Sequence, residues 1–125
     1  MLRYLFGIAF LLSLSFNSLS AQTSERDILG TWKAWDNLLL IYENDNGIVE
    51  GIYVDENGKQ SQKEKVVRNL KYTDGIWEGD LYSKKRNKSS KIECHFKSPE
   101  EIIVKLKITR FFSKSFSWEK VHTNL

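Results

Sequence analysis

Residue types that do covalent or metal chemistry are scarce in this chain. Its single Cys, Cys94, and one of its two His, His95, are neighbours. Neighbours in an extended segment point to opposite faces, so they cannot form a nucleophile–base dyad. The other His, His122, lies near the C-terminus, and neither His-x-x-x-His nor Cys-x-x-Cys occurs, so no metal site is expected. Gly47, Gly51 and Gly58 fall at turn or strand positions rather than in a phosphate-cradling loop. Glu78 and Asp80 stand two apart in Trp77-Glu78-Gly79-Asp80-Leu81 and share one strand face. Turned inward, they would be paired carboxylates with raised pKa values. Trp77, Gly79 and Leu81 make the better inward set, so the carboxylates are read as outer, solvated residues. The chain is expected not to be an enzyme, and no catalytic residue, metal ligand or cofactor is assigned.

Binding chemistry is better represented. The candidate lining of a ligand site is Trp32, Tyr53, Trp77, Leu81, Phe96, Phe116 and Trp118, with Cys94 and Leu106 on the same inward faces. These side chains can also simply fill an interior, and with so many large rings pointing inward a packed core is the first expectation. A small apolar cavity is the second. Cys94 alternates with Ile92 and Phe96, which makes it a buried small hydrophobe. Glu50 falls on the face of Ile48 and Ile52 and reads either as an inward polar contact or as a wet outer residue. Lys84, Lys85, Arg86, Lys88 and Lys91 form a basic cluster on one hairpin, and Lys97, Lys105 and Lys107 could extend it across an outer face. This is a candidate surface for an anionic envelope component or an acidic partner. No aromatics interleave with the cluster and the net charge is only +3, so nucleic acid is not an expected partner.

The elements that must position these residues read as β almost throughout. The N-terminus is a separate matter. Arg3 precedes an apolar stretch from Tyr4 to Phe16, and small residues follow at Ser20-Ala21-Gln22. This has the form of a secretory signal peptide over residues 1–21, and is too short to span a bilayer, which takes roughly 20 apolar residues. Export is therefore expected, to the periplasm or beyond, with no membrane span in the mature chain. A single Cys excludes an internal disulfide, and its position excludes a lipid anchor at the cleavage site.

Residues 22–28 form an N-terminal segment in which Ser24-Glu25-Arg26-Asp27 suggests one helical turn. Residues 29–121 form the main domain, and 122–125 a tail. Alternating apolar and polar residues place strands at about 30–35, 38–43, 48–54, 76–83, 90–97, 101–111 and 116–121. A further strand at about 65–72 is fed by a polar loop from Gln60; a short helix there is the alternative. Asn44-Asp45-Asn46-Gly47, Asp55-Glu56-Asn57-Gly58 and Thr73-Asp74-Gly75 supply turns. No long helix is available to cover a sheet face. An eight-stranded antiparallel up-and-down barrel is the expected fold, because curling buries the apolar side and removes open edges. A flattened β-sandwich is the alternative.

Gly30-Thr31-Trp32 at the head of the first strand resembles the opening of lipocalins and avidin-like barrels, in which the Trp plugs one barrel end. The further landmarks are Ile41-Tyr42-Glu43, Asn46-Gly47, Gly51-Ile52-Tyr53-Val54, Trp77-Glu78-Gly79-Asp80-Leu81-Tyr82, Lys91-Ile92-Glu93-Cys94 and Trp118-Glu119-Lys120-Val121. In this order they are similar to a family of small exported bacterial proteins, domain-of-unknown-function family 2147. The resemblance runs from about Ile28 to Val121 and implies a lipocalin-like barrel outside the cytoplasm, with no established activity. Tyr82 to Ser89 departs from it, lacking the Asp-Pro and Gly-Lys-x-Tyr usual after the fifth strand. The expected function is that of a non-enzymatic exported barrel binding a small apolar or amphipathic ligand. The alternative is a protein-interaction module or inhibitor acting through basic hairpin loops in the cell envelope.

Overall fold

The structure, a computed structural model, describes residues 25–122. The expected signal segment and the last three residues of the tail lie outside the described residues. A single 3₁₀ turn, Glu25–Ile28, leads into β1 (Gly30–Ala34), β2 (Asn37–Glu43), β3 (Val49–Val54), β4 (Val67–Thr73), β5 (Ile76–Ser83), β6 (Lys88–Ser98), β7 (Glu101–Lys107) and β8 (Ser113–Lys120). Each strand pairs antiparallel with its sequence neighbour, and β8 returns to β1. The sheet is a closed eight-stranded up-and-down barrel, not a sandwich. Closure leaves no strand edge open to pairing.

Alternation fills the interior. Trp32, Ala34, Leu39, Ile41, Val67, Leu70, Trp77, Ile92, Cys94, Ile102, Val104 and Trp118 are all buried in one cluster. The middle of the barrel is therefore packed solid, as the ring content suggests. Trp32 is wholly buried at one end, and its indole Nε1 donates to the Ile28 carbonyl at 2.9 Å, tying the plug to the 3₁₀ turn. Gly30 makes the bend between turn and strand at φ 131°, a conformation open essentially to glycine. The turns after β2, β4 and β6 lie at this plugged end. The chain also enters here at Glu25 and leaves here after Lys120, where Val121 N–H bonds the Thr31 carbonyl at 2.9 Å.

β4 is the irregular strand. Its register with β5 shifts between Arg68 and Lys71, with Asn69 at φ 53° in the bulge. Asn tolerates that region better than most residues. Gly79 lies opposite, and a Cβ there would sit 2.8 Å from the Arg68 carbonyl oxygen and 2.9 Å from Leu70 Cδ2. The uncertain stretch before β4 is a loop, not a helix. It follows β3 back, with Ser61 N–H on the Tyr53 carbonyl (2.9 Å) and Val66 N–H on the Gly51 carbonyl (2.8 Å).

Several strand limits differ from expectation. β7 ends at Lys107 rather than near Phe111, because Thr109–Phe112 closes a tight turn. There Ile108 and Thr109 N–H both reach the Phe112 carbonyl at 3.0 Å. β6 begins at Lys88, two residues earlier than expected, and β8 begins at Ser113 rather than Phe116.

Candidate functional site

The end opposite the plug is open. The connections β1–β2, β3–β4, β5–β6 and β7–β8 surround it, and a cavity of about 390 Å³ opens between them. That volume falls within the usual range for small-molecule sites. Its apolar wall is Trp35, Tyr53, Leu81, Leu106, Ile108 and Phe116. Lys84, Arg86, Lys88 and Lys114 stand around it, with Gln62 leaning in from the β3–β4 loop. No carboxylate lines this cavity.

Register explains how the cations arrive. On β6, Ser90 pairs with Leu81 and Lys88 with Ser83, so the inward row Cys94, Ile92, Ser90, Lys88 runs from apolar floor to charged rim. On β8, Trp118, Phe116 and Lys114 make the same gradient beside Ile102, Val104 and Leu106 of β7. The ammonium groups stay in water while their stems line the mouth. No ion pair holds Lys84, Arg86, Lys88 or Lys114 among the described residues.

Trp35 reaches the cavity by an unusual route. Strict alternation from Trp32 and Ala34 would aim it outward. Its φ of 57° at the β1–β2 turn swings the ring over the barrel mouth instead. It packs edge-on against Phe116, centroids 5.3 Å apart, and Trp118, at 5.9 Å. Burial pushes the Tyr53 hydroxyl above its ordinary pKa.

The residues singled out from the sequence separate into groups. Tyr53, Leu81 and Phe116 line the mouth cavity, joined by Leu106. Trp118 is buried beneath it, and Trp32 and Phe96 pack together at the plugged end with ring centroids 6.1 Å apart. Trp77 borders a different hollow of about 370 Å³ beside the 3₁₀ turn, where Glu25, Glu43, Arg26 and Lys71 mix both charges. The basic cluster also divides. Lys84, Arg86 and Lys88 belong to the mouth, whereas Lys85 is exposed on the turn beyond the cavity lining. Lys91 points to the outer face and pairs with Asp80 at 3.1 Å. Lys107 pairs with Glu93 at 2.6 Å, so the outer face of β5–β7 interleaves both signs rather than extending a basic patch. Trp35, Ile108, Lys114 and Gln62 were missed. The every-second-residue row through Trp118 and Phe116 already pointed to Lys114; nothing in the sequence pointed to Gln62.

Glu78 and Asp80 lie on the outer face, opposite Glu93 and Lys91. Cys94 is fully buried while His95 is exposed, on opposite faces of β6. Burial, reinforced by the neighbouring Glu93 charge, pushes the Cys94 thiol up to about 12. Among the described residues no three His, Cys, Asp or Glu side chains gather as a metal site. No helix among them is long and apolar enough to cross a membrane.

Glu50 is neither inward nor wet. It pairs with Tyr42 on the outer face of β2–β3, yet it is only 6% exposed. Lys65 from the β3–β4 loop covers it at 2.8 Å, and Asn44 Nδ2 donates at 3.0 Å. Burial alone would raise its pKa. Hydrogen bonds from Lys65 and Asn44, the Lys65 charge and the Tyr42 hydroxyl together outweigh that and hold it below the ordinary glutamate value. This latch fixes the loop that carries Gln62 to the mouth.

No protein-family model matches this chain, no curated protein matches its sequence, and no solved structure matches it.

Proposed function

We propose that this chain is a non-enzymatic, lipocalin-like binding protein, exported from the cytoplasm, that takes a small amphipathic ligand with an anionic head into the open barrel mouth. The observation that carries this reading is the cavity itself. It has an apolar wall of Trp35, Tyr53, Leu81, Leu106 and Phe116, a rim of Lys84, Arg86, Lys88 and Lys114, and no acidic group. An apolar tail would meet rings and aliphatic side chains, and a carboxylate, sulfate or phosphate head would meet ammonium and guanidinium donors at the solvent boundary. The packed middle of the barrel sets the depth, so the ligand sits in the outer half. The order of landmarks from Ile28 to Val121 and the apolar N-terminal stretch support family 2147 and export.

Titration with decanoate and with decanol, followed by Trp fluorescence, tests the reading. Trp35 lies in the cavity wall and reports occupancy. Decanoate is expected to bind and decanol to bind at least roughly tenfold more weakly, the discrimination of one charge-assisted contact. Equal binding of acid and alcohol would remove the anionic head from the proposal. Binding of neither would remove the cavity as a ligand site.

A further inference from the structure

Large apolar side chains on a folded surface are ordinary when scattered and informative when grouped. Phe111 is 92% exposed and Phe112 53%, side by side at the tip of the β7–β8 connection. Their exposure is built in. Ile108 and Thr109 N–H hold the Phe112 carbonyl, and Thr109 Oγ1 accepts from Phe111 N–H at 3.3 Å, so the turn is pinned with both rings outside. Neither ring takes part in the apolar core.

The charge of the two hairpins at this corner of the mouth is one-sided. Residues 108–115 carry Arg110 and Lys114, and the facing β5–β6 hairpin, residues 83–90, carries Lys84, Lys85, Arg86 and Lys88. Neither stretch contains an Asp or Glu. β6 and β7 are paired with Lys91 opposite Lys107, so the two hairpins emerge from adjacent strands at the same end of the barrel. Exposed aromatic rings beside a cluster of cations match the two layers of an anionic bilayer. The rings enter the headgroup–acyl boundary while the ammonium and guanidinium groups stay at the phosphates. An acidic protein partner would satisfy the cations but leaves two adjacent, outward-held phenylalanines unexplained.

We propose that the β5–β6 and β7–β8 hairpins form a docking surface for anionic phospholipid membranes, with Phe111 and Phe112 as the inserting residues and the surrounding Lys and Arg side chains as the headgroup contacts. This inference does not depend on what the cavity holds. It adds that the cavity mouth docks facing the lipid surface.

Flotation of the full chain with vesicles tests it. One vesicle set is phosphatidylcholine alone and the other is phosphatidylcholine mixed with phosphatidylglycerol, at physiological ionic strength. The variants are F111S/F112S and K84S/K85S/R86S/K88S, and all proteins share the same N-terminal residues, so differences between them report the hairpins. The parent is expected to bind the phosphatidylglycerol vesicles more tightly than phosphatidylcholine alone, where the shared apolar stretch Tyr4–Phe16 sets the baseline. The phenylalanine variant should bind at least roughly tenfold more weakly, from the lost apolar insertion. The basic variant should lose about fivefold per cation removed. These positions are exposed, and an unchanged near-UV circular dichroism spectrum verifies the fold. Parent binding that is absent, indifferent to lipid charge, or unchanged in F111S/F112S overturns the proposal. Loss in the basic variant with no loss in the phenylalanine variant indicates electrostatic adsorption without ring insertion, and overturns it equally.

Discussion

Lys120 lies over the face of Trp32, its Nζ 5.1 Å from the ring centroid, while it donates to the carbonyl oxygens of Asp27 (3.1 Å) and Leu29 (3.3 Å). The two residues are direct partners across the β1–β8 seam. That seam has few paired residues, so the last strand clasps the first through this side chain as well as through the ladder. The same ammonium closes the 3₁₀ turn over the plug.

Removing that ammonium while keeping the stem should weaken the seam. K120M loses two hydrogen bonds from a charged donor and a cation–π contact, together about 2 kcal/mol. Urea unfolding should show the midpoint falling, with decanoate affinity at the far end unchanged. An unaltered midpoint would show that the ladder alone holds the seam.

Gly79 should tolerate no side chain. The Cβ of G79A would press on the Arg68 carbonyl and Leu70, and the backbone of the bulge has little room to move. A loss of about 1–3 kcal/mol is expected, the usual range for overpacking. Thermal unfolding of G79A beside the parent checks this. A melting temperature equal to the parent's would mean the bulge is compliant.

The Cys94 thiol should be inert in the folded protein. It is fully buried and its pKa is pushed up to about 12, so thiolate and access are both withheld. Ellman's reagent at mildly alkaline pH should leave the native chain unmodified and label it once it is unfolded in guanidinium. Prompt native labelling would place Cys94 in an opening segment.

Acid should loosen the β3–β4 latch. Glu50 is held below its ordinary pKa in the folded state, so the unfolded chain binds the proton more readily. Stability from this group is full above the unfolded value of about 4.3 and is lost as pH falls through the lower folded value. Glu93 shifts the same way, through its hydrogen bond to Lys107, and contributes in the same window. The stability of E50Q should therefore fall less steeply than the parent's below about pH 4, measured by urea unfolding across the acid range. Parallel curves would show that Glu50 is not part of the acid response.

Much of the fold was legible because period-two patterning and turn residues agree along the chain. Ile102, Val104 and Leu106 alternate with Ile103, Lys105 and Lys107, and Asn-Gly and Asp-Gly mark turns that the structure uses. The failures have physical causes. Phe111 looks like strand continuation, because composition does not distinguish a buried ring from one held outward by a turn. Trp35 was hidden by a positive φ that breaks alternation. Glu50 was hidden by a loop, since burial on an outer face depends on what folds across it. Of the mouth, Tyr53, Leu81, Phe116 and the four cations were within reach of pattern reading. The division of the basic cluster between mouth and outer face was not, because it follows from the pairing of Lys91 with Asp80.

The chain enters and leaves the barrel at the plugged end, beside Trp32, which gives the molecule a handle and a working face. A fluorescent protein or surface linker joined after β8 would hang from the plug and leave the mouth clear, whereas an insertion at Thr109–Phe112 would obstruct it. The two exits are close enough that a short peptide could bridge them. New termini could then be opened at Asn44–Gly47, a polar turn also at the plugged end, producing a permuted barrel whose mouth hairpins remain continuous.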